Sequence, residues 1–254
     1  MNNVSCLVQF AELFRSASKP VKNGKPTNVL ITGGSNGIGR SLALRYARPG
    51  SLIALTGRNT ERLNAVAAEV RALGAQVLTS TVDVADEQAM ATFVLELDTK
   101  HPLDLVIANA GVHASTIGWK GLEENTRQLN AVNVQGVYNT VMPLIERFKQ
   151  RKAGQLAVVA SLGGFFDIPR AVSYAAGKSG LIVFCRGLRH ALTPFGVRVN
   201  TVASCIGPPL DVTLLFVYER SAPALSIPAS PRTSTRAPRA RPSSCRPTRQ
   251  PASS

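Results

Sequence analysis

From Asn28 onward the chain alternates short apolar runs with stretches whose apolar positions recur every three or four residues. NVLIT (28–32), SLIAL (51–55), QVLTSTV (76–82), DLVIANA (104–110), QLAVVAS (155–161) and VRVNTV (197–202) read as six strands. Most are apolar throughout rather than alternating, the pattern of strands buried on both faces of a sheet. Helical stretches lie between them. One follows a glycine-rich turn and runs through Tyr46. A second, capped by Thr60, carries Leu63, Val66, Ala67 and Val70 on one stripe and ends at Gly74. Others span 86–100, 123–149 and 171–192. In the longest, Val134, Val137, Tyr138, Val141, Leu144, Ile145 and Phe148 form a single stripe. This alternation predicts an α/β architecture, a doubly wound parallel sheet with helices on both faces.

The two ends do not share the pattern. Residues 1–27 form an N-terminal extension with four basic side chains and one acid, Glu12, compatible with a disordered segment or an organelle transit peptide. Residues 206–254 form an atypical tail. From 221 onward it consists of Ala, Pro, Ser, Thr and Arg apart from Leu225, Ile227, Cys245 and Gln250. Such a composition buries too little apolar surface to offset its ordering entropy, so disorder is expected there. One folded domain over 28–205 remains.

Composition narrows the function classes. With 44% hydrophobic and 17% charged residues in 254, the chain can build a core, and no apolar run is long enough for a membrane span. The net charge of +14 looks like a nucleic-acid signature, but the two ends supply +8 of it. The tail arginines stand isolated among Pro and Ser, with no aromatic residues for base stacking, so no nucleic-acid partner is expected. The four cysteines form no CxxC pair and the three histidines lie far apart. A metal site or disulfide framework is therefore not expected, and reduced thiols suit a cytoplasmic setting. The histidines are assigned by default to helix surfaces or loops.

Three constellations carry candidate chemistry. The first is the turn between strand one and its helix, with Thr32, Gly33, Ser35, Asn36, Gly37, Ile38 and Gly39. Its glycines allow a tight turn and the approach of a pyrophosphate to a helix N-terminus, where free N–H groups and the dipole favour an anion. The second is Arg58, where strand two ends. Folds that select NAD commonly place an acid near this position, yet no acid occurs between Thr32 and Asn59. A guanidinium suits a 2′-phosphate, so NADP is the expected cofactor, with NAD also compatible. Asp83 could touch the adenine edge or cap the next turn. The third is Tyr174 and Lys178, four apart on one helix face, where an ammonium can stabilise a phenolate for proton transfer to an alcohol oxygen. Ser161 ends strand five, Asn109-Ala110-Gly111 ends strand four, and Asn133 lies inside the long helix, where an amide is disfavoured. Asn133 could equally be a solvent-facing helix residue, and Phe165 and Phe166 either line an apolar pocket or simply pack.

In order and spacing this set resembles the short-chain dehydrogenase/reductase family, over about residues 28–202. The resemblance implies a Rossmann fold and hydride transfer between NAD(P)(H) and an alcohol/carbonyl pair. It implies Tyr174 as general acid/base and Lys178 as the group that lowers its pKa and holds the nicotinamide ribose. It further implies Ser161 orienting the carbonyl, Asn133 supporting a water relay toward Lys178, and a homodimer or homotetramer through the helices containing Asn133 and Tyr174. The sequence departs from the family after Val202. Ala203-Ser204-Cys205-Ile206-Gly207 follows where the family has a Pro-Gly turn, and neither the last strand nor the substrate lid can be read in residues 203–254. The break has the look of a shifted reading frame or a translated intron. Without a further strand, VRVNTV is expected to be an exposed edge.

Overall fold

The computed structural model describes residues 26–113, 120–166, 168, 169, 171–207 and 212–218. The strands are β1 (Asn28–Ile31), β2 (Leu52–Thr56), β3 (Gln76–Ser80), β4 (Leu105–Ala108), β5 (Gln155–Ser161), β6 (Arg198–Gly207) and β7 (Val212–Tyr218). They form one sheet in the order β3-β2-β1-β4-β5-β6-β7. The first six run parallel, and the order reverses direction between β1 and β4. In an open sheet of this kind the crevice beyond the strand carboxyl ends at that reversal is where ligands bind.

The helices are α1 (Gly37–Tyr46), α2 (Thr60–Ala72), α3 (Glu87–Lys100), α4 (Leu122–Asn130), α5 (Gly136–Val141), α6 (Ile145–Arg151) and α7 (Val172–Leu192). Short polar side chains start the first three. Asn36 Oδ1 accepts from Gly37 N, Asn59 Oδ1 from Arg62 N at 2.8 Å, and Asp86 Oδ1 from Ala89 N at 3.0 Å. The cap of α2 is therefore Asn59, with Thr60 its first helical residue.

Strand alternation splits the core into two layers. Val29, Ile31, Ile53 and Leu55 face one side, packed against Leu42 and Tyr46 of α1 and Leu63, Val66 and Val70 of α2. Leu30 and Ala54 face the other, with Met90 and Val94 of α3, Val137 of α5, Phe148 of α6 and Leu181 and Cys185 of α7. This is the expected burial on both faces. The edge strand β3 is the exception, with Gln76, Leu78 and Thr79 exposed.

Two elements differ from the sequence reading. The predicted 123–149 helix is interrupted. Between α4 and α5 the segment Ala131–Gln135 is π-helical, with Gly136 N–H reaching back to Ala131 O, and Met142–Leu144, containing Pro143, tightens to a 3₁₀ turn. A seventh strand that the sequence reading did not place follows β6. Val212–Tyr218 pairs antiparallel with β6 from Thr201↔Tyr218 to Gly207↔Val212. Because no proline stands at 203–205, β6 keeps a ladder N–H at each of these positions and runs on to Gly207. The apolar run LLFVY then supplies the β-propensity for a returning strand. The edge of β6 is thus covered. Residues 1–25 and 219–254, including most of the expected extension and most of the expected tail, lie outside the described residues.

Candidate active site

At the carboxyl end of β1 the chain turns through Thr32–Asn36 into α1. Gly33 has φ 67°, and a side chain there would meet Ala110 Cα at 2.8 Å. Gly39 packs so closely on the Gly33 carbonyl that no Cβ fits. Asn109 binds this turn to β4, its Nδ2 donating to Thr32 O at 3.0 Å and Gly33 O at 3.2 Å. In return Thr32 Oγ1 accepts from the backbone N–H groups of Asn109 and Ala110, both at 3.1 Å. These bonds fix the glycine turn against the end of β4, independently of any ligand.

A groove of about 370 Å³ opens over this turn. Gly37 faces it with φ 52° and nothing within 4 Å of where a side chain would be. Ser35, Asn36 and Ile38 line it at the start of α1, and Asp83, Ala110 and Gly111 line it farther along. Arg58 and Asn59 border it at the end of β2. So does Arg62, in the first turn of α2. Every residue expected to hold a dinucleotide except Thr32, Gly39, Tyr174 and Lys178 lines this one groove. Thr32 and Gly39 act beneath it as supports. Asp83 has the second of its expected roles, capping the following turn through Oδ1 to Ala85 N at 2.9 Å, while also bordering the groove.

The acid/base candidates meet where α7 passes β5. Lys178 is 5% exposed, and Nζ donates to Val159 O of β5 at 2.8 Å. Burial without a counter-charge lowers its pKa to about 8. Nζ lies 5.9 Å from the centre of the Tyr174 ring. Gly163 and Gly111 act as gauges of the remaining spacing. A Cβ built on Gly163 would lie 3.4 Å from Ser161 Oγ and 3.7 Å from Tyr174 Cε1. One built on Gly111 would lie 3.2 Å from Asn133 Oδ1 and 3.8 Å from Lys178 Nζ. Ser161, Tyr174, Lys178 and Asn133 therefore converge, with Gly111 also bordering the groove.

Two of these residues are engaged in ways the sequence does not reveal. Asn133 is buried in the π-helical segment rather than facing solvent. Its amide forms a two-point pair with one residue of the β4 exit, accepting from Val112 N at 2.7 Å and donating to Val112 O at 2.8 Å. Its side chain thus positions backbone. Ser161 Oγ donates to Ser204 O at 3.2 Å and accepts from Gly163 N at 3.1 Å. Ser204 Oγ in turn donates to Ala160 O at 3.3 Å. This contact exists because β6 continues past Ala203 in register with β5, pairing Ser161 with Ser204.

Three further features lie outside the expected site residues. His113, assigned by default to a helix surface or a loop, places its ring edge-on to Tyr174, with centroids 4.9 Å apart and planes at 74°. Thr126 of α4 and Ser173 of α7 share a hydroxyl–hydroxyl hydrogen bond of 2.5 Å beside Tyr174. Phe165 and Phe166 are 44% and 68% exposed and are not core packing. They line a separate cavity of about 480 Å³ with Ile168, Pro169 and Val172, and Ser161 is not part of its wall.

Comparison with known proteins matches this geometry. A family model described as short chain dehydrogenase matches residues 27–207, ending where β6 ends. An uncharacterized oxidoreductase of Myxococcus xanthus is 37% identical over 174 residues, covering 68% of this chain and 69% of that protein. Among solved structures, a 3-oxoacyl-acyl-carrier-protein reductase from Brucella melitensis with bound NAD is similar at TM-score 0.63 and 29% identity, covering 69% of each chain. A metagenomic short-chain oxidoreductase in complex with NADP is similar at TM-score 0.64 and 28% identity, covering 70% of this chain and 81% of that one.

Proposed function

The chain belongs to the short chain dehydrogenase family, a family of oxidoreductases acting on CH–OH or carbonyl groups, and from that premise we propose that it reduces a carbonyl, or oxidises the corresponding alcohol, with NADP(H). The observation that carries the proposal is the convergence of Ser161, Tyr174 and Lys178 near Gly111, which borders a groove that Arg58 and Arg62 also line.

The residues present fit a dinucleotide. Gly37 offers open space, and the N-terminus of α1 beyond it offers backbone N–H groups, for a pyrophosphate. Arg58 and Arg62 offer two guanidinium groups at the ribose end, where an NAD-selective site would have an acid. Asn109, Ala110 and Gly111 line the path toward Tyr174. When bound, the nicotinamide supplies or accepts the hydride. That similar proteins have been solved with NAD and with NADP is consistent with either dinucleotide, and the paired arginines favour NADP.

On the protein side, Tyr174 gives its phenolic proton to the carbonyl oxygen as that atom gains charge, or takes it back in the alcohol direction. Lys178 supplies positive charge beside the ring and stays protonated more readily when an anion or a phenolate is near. Ser161 donates a hydrogen bond to the same substrate oxygen once its hydroxyl turns away from the Ser204 carbonyl. Asn133 acts in this chain through backbone, holding Val112 and with it the wall formed by Gly111.

The same reading includes a homodimer or homotetramer through the α4–α6 and α7 layer. Val172 and Val183 on α7 and Met142 beside α5 are apolar side chains about half exposed or more on those elements. It also includes a cytoplasmic setting, in which the buried Cys185 remains a thiol. Among the described residues no helix is long and apolar enough to cross a membrane.

The test is NADPH consumption against a panel of ketones and aldehydes, repeated with NADH and with the Arg58→Ala and Tyr174→Phe variants. Turnover with NADPH, its loss in Tyr174→Phe and a fall in the NADPH/NADH preference in Arg58→Ala are expected. Dinucleotide binding with no turnover on any carbonyl or alcohol would favour a second reading, a nucleotide-binding protein without catalysis. The observation behind that reading is the Ser161 hydroxyl already committed to Ser204.

A further inference from the structure

The ring of His113 lies edge-on to Tyr174 at a centroid distance of 4.9 Å and an angle of 74°, within the geometry that aromatic pairs prefer. What places it there is a short chain of contacts. Thr32 Oγ1 holds the N–H groups of Asn109 and Ala110. Two residues on, the Asn133 amide holds both the N–H and the carbonyl of Val112. The backbone leading to His113 is therefore pinned twice, from the end of β1 and from the π-helical segment Ala131–Gln135. The backbone carrying the partner ring is held from its own helix. Tyr174 sits in the first turn of α7, which the Thr126–Ser173 hydroxyl bond ties to α4. A half-buried Tyr174 ring with Ser161 across Gly163 and Lys178 behind it needs one more contact to fix its tilt. The described contact on that ring from the β4 side is His113.

We propose that His113 is a positioning residue for Tyr174, and that Asn133 acts on Tyr174 through Val112 and His113. This rests on the reading of Tyr174 as the acid/base. The physical content is orientational. The phenolic oxygen is at the far end of a ring that turns about two bonds, so a small change of tilt moves it away from a substrate oxygen. An edge-to-face contact restricts that tilt without taking up the hydroxyl, which stays available to substrate. Asn133 then contributes by geometry, with both polar groups of its amide spent on Val112.

The contact and its consequence are tested separately, on the full chain. The contact is read from the ring resonances of ¹³C-labelled tyrosine, with Tyr174 assigned by Tyr174→Phe. His113→Ala is expected to shift the Tyr174 signal by removing the ring current, and Asn133→Ala to shift it in addition to altering Val112. An unmoved Tyr174 signal in His113→Ala overturns the proposal, whether or not the protein turns over. The consequence is read in steady-state kinetics. His113→Ala should lower kcat by roughly tenfold to a hundredfold, the scale of a misplaced reacting group, with KM for NADPH unchanged. His113→Phe keeps an aromatic edge and should recover most of the loss. The His113→Ala, Asn133→Ala double variant should be no slower than the worse single variant. A His113→Phe enzyme as slow as His113→Ala, or additive losses in the double variant, would overturn the positioning role. Absence of turnover in the unaltered chain would count against the proposed function, while the resonance shifts would still decide the contact.

Discussion

Lys178→Met should make the cofactor-free chain more stable at neutral pH and inactive. The Lys178 ammonium is buried at 5% exposure with a backbone carbonyl as its partner, and its pKa falls from 10.5 to about 8. At 1.36 kcal/mol per pH unit, keeping the proton in the folded state costs about 3 kcal/mol at pH 7. Methionine fills a similar volume without charge. It forfeits the bond to Val159 O, worth about 1 kcal/mol, which leaves a net gain of about 2 kcal/mol. The pH dependence carries the sign. Between about 8 and 10.5 the unfolded chain binds more protons at this lysine than the folded chain, so the unaltered protein gains stability as pH rises through that window. Below about 8 the penalty is nearly full. The advantage of Lys178→Met should therefore shrink by about 1 kcal/mol between pH 7 and pH 9. Urea denaturation of both proteins at pH 7, 8 and 9 reads this difference. Cys185, pushed up to about 11, and Tyr46, pushed up to about 12, pull the other way at high pH, but they are common to both proteins and cancel. A gap between the two proteins that stays constant across the three pH values, or a variant less stable at all of them, would refute the uncompensated buried ammonium.

Other consequences arise from the same contacts. Asp98→Ala should destabilise the fold by about 1–3 kcal/mol in chemical denaturation, because its buried carboxylate accepts from Arg151, Arg147 and the Leu103 N–H and joins α3 to α6. Its arginine partners are about a third exposed and can turn to water, which keeps the loss below that of a fully buried pair. Thr32→Val keeps the shape but leaves the Asn109 and Ala110 N–H groups without their acceptor. A loss of about 1–3 kcal/mol in stability is expected, together with weaker NADPH binding by calorimetry. Gly33→Ala introduces a Cβ at positive φ and 2.8 Å from Ala110 Cα. Its NADPH affinity should fall with it, and an affinity equal to that of the unaltered chain would contradict the close approach.

The parts of the fold legible in the sequence are those fixed by local rules. β1, β2, β4 and β5 are short continuous apolar runs, and a run buried on both faces announces itself. The glycine turn was legible because Gly33 and Gly39 meet backbone at distances no side chain allows. The interruption at Ala131–Gln135 was not, since the apolar stripe continues through it and only the hydrogen-bond register changes. β7 was missed because its partner is β6, extended beyond the position where a turn was expected, and pairing across a hairpin is a tertiary fact. In the site, residue types and spacing identified which side chains converge. They could not say that Asn133 would pair with Val112, that Ser161 would donate to Ser204, or that His113 would lie on Tyr174, because each of these partners is set by register between distant segments.

The most direct measurement of hydride transfer assisted by Tyr174 is the fate of a labelled hydride. NADPH carrying deuterium at the transferable position would be incubated with the full chain and a reducible ketone, and the alcohol product analysed by mass spectrometry for the unaltered protein and for Tyr174→Phe. One deuterium in the product from the unaltered chain, and none above background from Tyr174→Phe although it still binds NADPH, is the predicted result. Unlabelled product, or label transferred equally well without the Tyr174 hydroxyl, would contradict the assignment of this site.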